Sequence, residues 1–155
     1  MPAQSAGILM YRFVEGALAV LLVHPGGPFW ARKDLGAWSI PKGEFSTGEE
    51  PSAAALREFE EELGVRPQGT PVPLGEIRQK AGKRVIAFAL EGDLDVENIV
   101  SNTCEIEWPP RSGKRITIPE VDKAGWFSLE EAREKILPAQ APLLDRLVER
   151  TSAEE

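Results

Sequence analysis

Between Gly43 and Val65 the chain reads GEFSTGEEPSAAALREFEEELGV, and no other segment restricts the fold so tightly. Leu56, Phe59 and Leu63 recur at spacings of three and four, which places them on one face of an α-helix. Glu58, Glu61 and Glu62 stand at i, i+3 and i+4, so a helix gathers their carboxylates on a different face. One side of the segment packs while the other meets water. Ala53, Ala54 and Ala55 favour the helix. Ser46 or Thr47 is the expected N-cap, with Glu49 and Glu50 at the positive end of the helix dipole. Pro51 is tolerated in a first turn, where its missing N–H has no partner to lose. Gly64 is the expected left-handed C-terminal cap.

Carboxylates so closely spaced repel unless a cation sits among them. Magnesium is a hard cation commonly held by carboxylates together with substrate phosphates. The acidic face therefore reads as a magnesium site for phosphate chemistry. A merely solvated glutamate-rich helix interleaves lysine four residues on. Here the positions that would carry it are Glu62, Val65 and Arg66, the last two beyond the Gly64 break.

The segment resembles the Nudix box, G-x5-E-x7-R-E-U-x-E-E-x-G-U with U a bulky apolar residue. Gly43, Glu49, Arg57, Glu58, Phe59, Glu61, Glu62, Gly64 and Val65 fill every fixed position. The resemblance implies an α/β/α sandwich with a mixed sheet between helices. It also implies hydrolysis of a nucleoside diphosphate joined to another group, with Mg2+ as cofactor and Mn2+ as substitute. By the same resemblance Glu58 and Glu62 are principal metal ligands, and Glu61 is a further ligand or the water-activating base. The main-chain carbonyl of Lys42 is another ligand, and Glu49 with Arg57 forms an internal ion pair that fixes loop to helix. Members of the family often recruit an acid from outside the box. Glu120, six residues before the Trp126 of WFSLEEA, resembles that acid.

Composition sets outer bounds. A chain of 155 residues, 42% hydrophobic and 28% charged, is ordinary for one globular domain, here 1–155. The net charge of −7 argues against an extended nucleic-acid partner and requires a local cationic site for any anionic substrate. Cys104 is the sole cysteine, which rules out an internal disulfide and suits a reducing cytoplasm. His24 is the sole histidine, so no multi-histidine metal site exists. No apolar run reaches membrane-spanning length, and the N-terminus lacks a leader pattern.

Along the chain, 5–13 and 17–24 read as strands about a turn at Glu15-Gly16. The Gly/Pro-rich stretch HPGGPFWARKDLGAW is a long loop of the kind that carries function. PVPLGEIRQK and KRVIAFALEGD read as strands about a turn at Ala81-Gly82, with short strands at 104–108 and 114–118. Trp126 and Phe127 open a short apolar segment. SLEEAREKIL is a helix capped by Ser128, with Glu131 at the capping-box position. After Pro138, 139–150 form a last helix with Leu143, Leu144, Leu147 and Val148 inward. The mixture is α+β.

Lys42 sets a cation beside the acidic helix, placed to meet a phosphate. Arg32, Lys33, Arg111, Lys114 and Arg115 form a candidate cationic rim, and Trp30, Trp38 and Trp108 are candidate platforms for a base. The expected substrate is a small nucleotide, either a nucleoside triphosphate or a dinucleoside polyphosphate such as Ap4A. Alternatives are a diphosphoinositol polyphosphate, capped RNA, or a ligand bound without turnover by a sensor domain. A homodimer accords with the family.

Overall fold

The central strands are apolar at nearly every position, not at alternate ones, because both faces of the sheet are covered. A computed structural model describes residues 4–79 and 82–153. In β1 (Gln4–Val14), Ala6, Ile8 and Met10 point to one side and Leu9 and Tyr11 to the other. β2 (Ala17–Pro25) and β5 (Arg84–Glu91) divide likewise. Helix α1 (Pro51–Leu63) closes the first face with Ala54, Ala55, Phe59 and Leu63. Helices α2 (Leu129–Lys135) and α3 (Ala141–Ala153) close the second with Ala132, Leu143, Leu144 and Leu147. Each buried leucine contributes roughly 1.5–3 kcal/mol. Helices on both faces of one sheet are the expected α/β/α sandwich.

The sheet runs β4-β5-β1-β2-β8, with β4 spanning Val72–Arg78 and β8 Val121–Ser128. β1 and β5 are parallel and the other pairs antiparallel, so the sheet is mixed. One edge of β1 is taken by β5, and the other edge is shared. β2 pairs with residues 11–14, whereas β3 (Lys42–Glu44) pairs with residues 5–7. Between them the Ile8 N–H donates to the Pro41 carbonyl (3.1 Å). Residues 38–41 thus wedge β1 from β2, and the split opens beside the start of the acidic segment. β6 (Thr103–Glu107) and β7 (Arg115–Pro119) form a separate hairpin.

Several expected boundaries move. Helix α1 starts at Pro51 with Glu50 as N-cap and no side-chain cap, so neither Ser46 nor Thr47 plays that part. Ser46 closes its own turn by accepting from the Glu49 N–H (3.0 Å). Glu49 and Glu50 consequently lie outside the first turn. Leu56 is only half-buried, and Ala55 takes its place in the stripe. Gly64 ends the helix in the left-handed region as expected (φ 78°). Trp126 and Phe127 lie near the end of the eight-residue strand β8. Ser128 Oγ accepts from the Glu131 N–H (3.2 Å), as the capping box requires. Of the expected turn at Ala81-Gly82, Ala81 lies outside the described residues.

Candidate active site at the split of the sheet

Helix α1 buries two carboxylates along with its apolar stripe. Glu58 and Glu62 are each only 7% exposed. Because the stripe and these acids adjoin, packing Phe59 and Leu63 against the sheet carries Glu58 and Glu62 inward towards β3. The Lys42 N–H donates to Glu62 Oε2 (3.2 Å). Gly43 lies against the Glu58 carboxylate, and a Cβ there would displace it. Glu61 is exposed one turn further on. Burial pushes the Glu62 carboxyl up to about 8, with neighbouring Glu120 and Glu58 adding to the rise and Lys42 opposing it. Burial likewise raises Glu58, against the pull of Arg57. The Lys42 ammonium is lowered, first by burial.

Glu120 reaches the same place from the β7–β8 junction, and its carboxyl is raised by burial and then by Glu61. Its carbonyl accepts from the Gly26 N–H (3.0 Å). Glu62, Glu120 and Lys42 line one cavity of about 190 Å³, whose walls also include Trp30 and Leu137. Acids from the helix and from a distant junction thus share a space, which only the tertiary fold arranges.

Arg57 explains how these charges coexist. Its Nε and Nη2 donate to the two Glu49 oxygens (2.8 and 2.9 Å), a bidentate pair. Its Nη1 donates to Glu58 Oε1 (2.8 Å) and Glu61 Oε1 (3.2 Å). The Glu49–Arg57 tie is as expected, but the guanidinium also stands between two of the three clustered acids. The cation that the sequence lacks at i+4 is supplied by a residue on the N-terminal side.

Across this geometry, the family model for the NUDIX domain matches residues 1–147. The chain belongs to the Nudix family. Among relatives, an RNA pyrophosphohydrolase of Francisella tularensis is 43% identical over 54 residues, covering 34% of this chain and 35% of that protein. The matched part thus spans about a third of that relative's length. Two solved structures share the fold. The NUDIX domain of Shewanella oneidensis NrtR complexed with ADP ribose has a TM-score of 0.68 at 17% identity, covering 97% of this chain and 89% of that one. A C. elegans Ap4A hydrolase binary complex has a TM-score of 0.64 at 21% identity, covering 97% and 98%.

The Nudix acids offer only hard oxygen donors, the chemistry that suits Mg2+. A cation brought to Glu58, Glu62 and Glu120 would favour the ionised form that burial penalises. Their convergence is incomplete, however. Among the described residues no three His, Cys, Asp or Glu side chains gather closely enough to form a metal-holding group; Arg57 holds Glu58 and Glu61 instead.

Three expectations about the substrate side change. Trp38 is 6% exposed and packs edge-on to His24 and Phe127, so it belongs to the core and presents no face to a base. Arg32, Lys33, Arg111, Lys114 and Arg115 line neither this cavity nor the one beside it. The Lys33 ammonium instead lies over the Phe29 ring, 3.6 Å from its centroid. Trp108 sits in the β6–β7 loop, away from both cavities. The cations at the cavities are Lys42 and Lys83, and the tryptophan is Trp30. Burial raises the Cys104 thiol, away from thiolate chemistry.

Asn102 is a residue that sequence reasoning missed. Its N–H donates to the Glu61 carbonyl (2.8 Å), and its own carbonyl accepts from the Glu120 N–H (2.9 Å). With its amide turned to face acceptors, the side-chain nitrogen lies 3.2 Å from Glu120 Oε2 and 3.2 Å from the Glu61 carbonyl. Asn102 ties the end of α1 to the distant acid. No local pattern marks it, since both partners are remote in sequence.

Proposed function

We propose that this protein hydrolyses a phosphoanhydride in a nucleoside diphosphate-linked substrate, a nucleoside triphosphate or a dinucleoside polyphosphate such as Ap4A, with Mg2+. The supporting observation is that Glu62 and Glu120 share a cavity with Lys42, with Glu58 packed behind Gly43. Glu58, Glu62, Glu120, the Lys42 carbonyl and Glu61 are the groups to hold the ion. Bound Mg2+ screens phosphate charge and lowers the pKa of a bound water. The Lys42 ammonium meets a phosphate oxygen. A glutamate takes the proton from the attacking water; Glu61, the most exposed of these four acids, is the candidate base. Water oxygen bonds to phosphorus, the bridging P–O bond breaks, and the leaving phosphate carries away the electron pair.

The reading is tested by assaying nucleoside triphosphates, Ap4A, ADP-ribose, diphosphoinositol polyphosphates and 5′-triphosphorylated RNA with Mg2+, Mn2+ or EDTA. It expects metal-dependent release of a phosphorylated product from a nucleotide, lost in Glu62→Gln and Glu61→Gln with the fold retained. Equal turnover in both variants removes it. The RNA substrate enters because of the Francisella relative's name, although the charge of −7 disfavours a long chain. A second reading, nucleotide binding without turnover, has one observation in its favour: Arg57 engages Glu58 and Glu61. Tight binding with no product over hours selects it.

A further inference from the structure

A second cavity of about 530 Å³ adjoins the first, and Trp30 and Leu137 belong to the walls of both. Its remaining wall is apolar at Pro138 and Ala139 and polar at Gln79 and Lys83. Lys83 pairs with no carboxylate among the described residues. An unpaired ammonium at the rim of an apolar slot suits an anion bearing a planar apolar group.

The walls are held firmly. Trp30 packs edge-on to Phe29, centroids 5.1 Å apart, and the Lys33 ammonium lies 5.1 Å from the Trp30 centroid. Gln140 is fully buried and joins the two cavities. Its Nε2 donates to Ser39 Oγ and to Gln79 Oε1 (both 2.9 Å), and its Oε1 accepts from the Ile40 N–H (3.0 Å). Ser39 and Ile40 line the first cavity. With Gln79 Oε1 engaged, the Gln79 amide nitrogen has no partner among the described residues and remains a donor at the second cavity.

We infer that the second cavity is the nucleoside subsite of the hydrolase: a purine lies between Trp30 and the Leu137–Pro138 wall, Gln79 donates to the base, and Lys83 takes a phosphate oxygen. This rests on the function proposed above and deepens it. The chain of phosphates then runs past the shared Trp30–Leu137 wall to Lys42 and Glu62. An inositol ring has no aromatic face to place against Trp30, so the assignment selects nucleotides over diphosphoinositols.

The test is calorimetric titration of the intact protein in Mg2+ with methylene-bridged ATP, methylene-bridged GTP and inorganic tripolyphosphate. Trp30→Leu should weaken the preferred purine ligand about tenfold, from the loss of stacking, and leave tripolyphosphate unchanged. Lys83→Ala should weaken both kinds of ligand by a similar factor, about fivefold. Lys83 is exposed, so its variant carries the test even if Trp30→Leu does not fold. Wild-type affinity for the purine ligand in either folded variant overturns the subsite and leaves the hydrolase reading standing. A wild type that binds neither purine analogue also overturns the subsite; the hydrolase reading falls only if the turnover assays above yield no nucleotide product.

Discussion

Helices α1 and α3 have the same length, 13 residues each, and cover opposite faces of the same sheet. Their buried sides differ in kind. α3 gives the core Leu143, Leu144 and Leu147, all fully buried. α1 gives Phe59 and Leu63 and, with them, Glu58 and Glu62. Burying a carboxylate costs stability that burying leucine does not. A helix that carries this cost beside a glycine-walled cradle is shaped for something other than packing. α3 shows what the sheet accepts when packing alone is served.

The comparison predicts opposite responses to substitution. Glu62→Gln should cut turnover by more than about 100-fold, since residues that merely support a ligand cost 10–100-fold. The same change should raise the melting temperature of the metal-free protein at pH 8, because Gln keeps an acceptor for the Lys42 N–H without a buried charge. Leu144→Ala should do the reverse. It should lower stability by about 2–5 kcal/mol, read by thermal melting, and leave turnover at 20 °C unchanged. A destabilised Glu62→Gln would erase the contrast.

A pH series sharpens it. Glu62 is pushed up to about 8 from the ordinary carboxyl value of 4.5, so between these values the folded chain keeps a proton that the unfolded chain has released. Metal-free stability should therefore fall as pH rises from about 5 to 8, with Glu58 and Glu120 contributing in the same direction. Lys42, lowered from 10.5, acts oppositely in a window that closes at 10.5. Saturating Mg2+ should restore up to about 3 kcal/mol at 100 times its Kd, and more at pH 8 than at pH 6. Melting curves at the two pH values with and without Mg2+ decide this. An Mg2+ effect independent of pH would detach the buried acids from the metal. The smallest effect is expected at Asn102: Asn102→Ala should weaken Mn2+ binding about tenfold, with little change in melting.

Local periodicity made much of this legible. Strands β1 and β2, the apolar face and C-terminal end of α1 and the Ser128 cap follow from spacing and capping chemistry. The start of α1 does not, because Glu49 is committed to Arg57 and residues 46–49 close a separate turn. Glu120 was reachable through the resemblance of its surrounding segment. Asn102 and Lys83 were not, since only the folded chain sets Asn102 between Glu61 and Glu120 and Lys83 in the wall of the second cavity. Trp38 departs from its expected role because its ring enters the core, edge-on to His24 and Phe127, while its Nε1–H donates to Asp34 four residues back (2.8 Å).

The central claim is that the buried acids of α1 hold a divalent cation. Its most direct test is an electron paramagnetic resonance titration of Mn2+ into the wild type and into Glu62→Gln at pH 8 with a non-hydrolysable nucleotide present. The account predicts depletion of the free Mn2+ signal by the wild type and at least a tenfold weaker effect in the variant. Equal depletion by the two proteins, or none by the wild type, would contradict it.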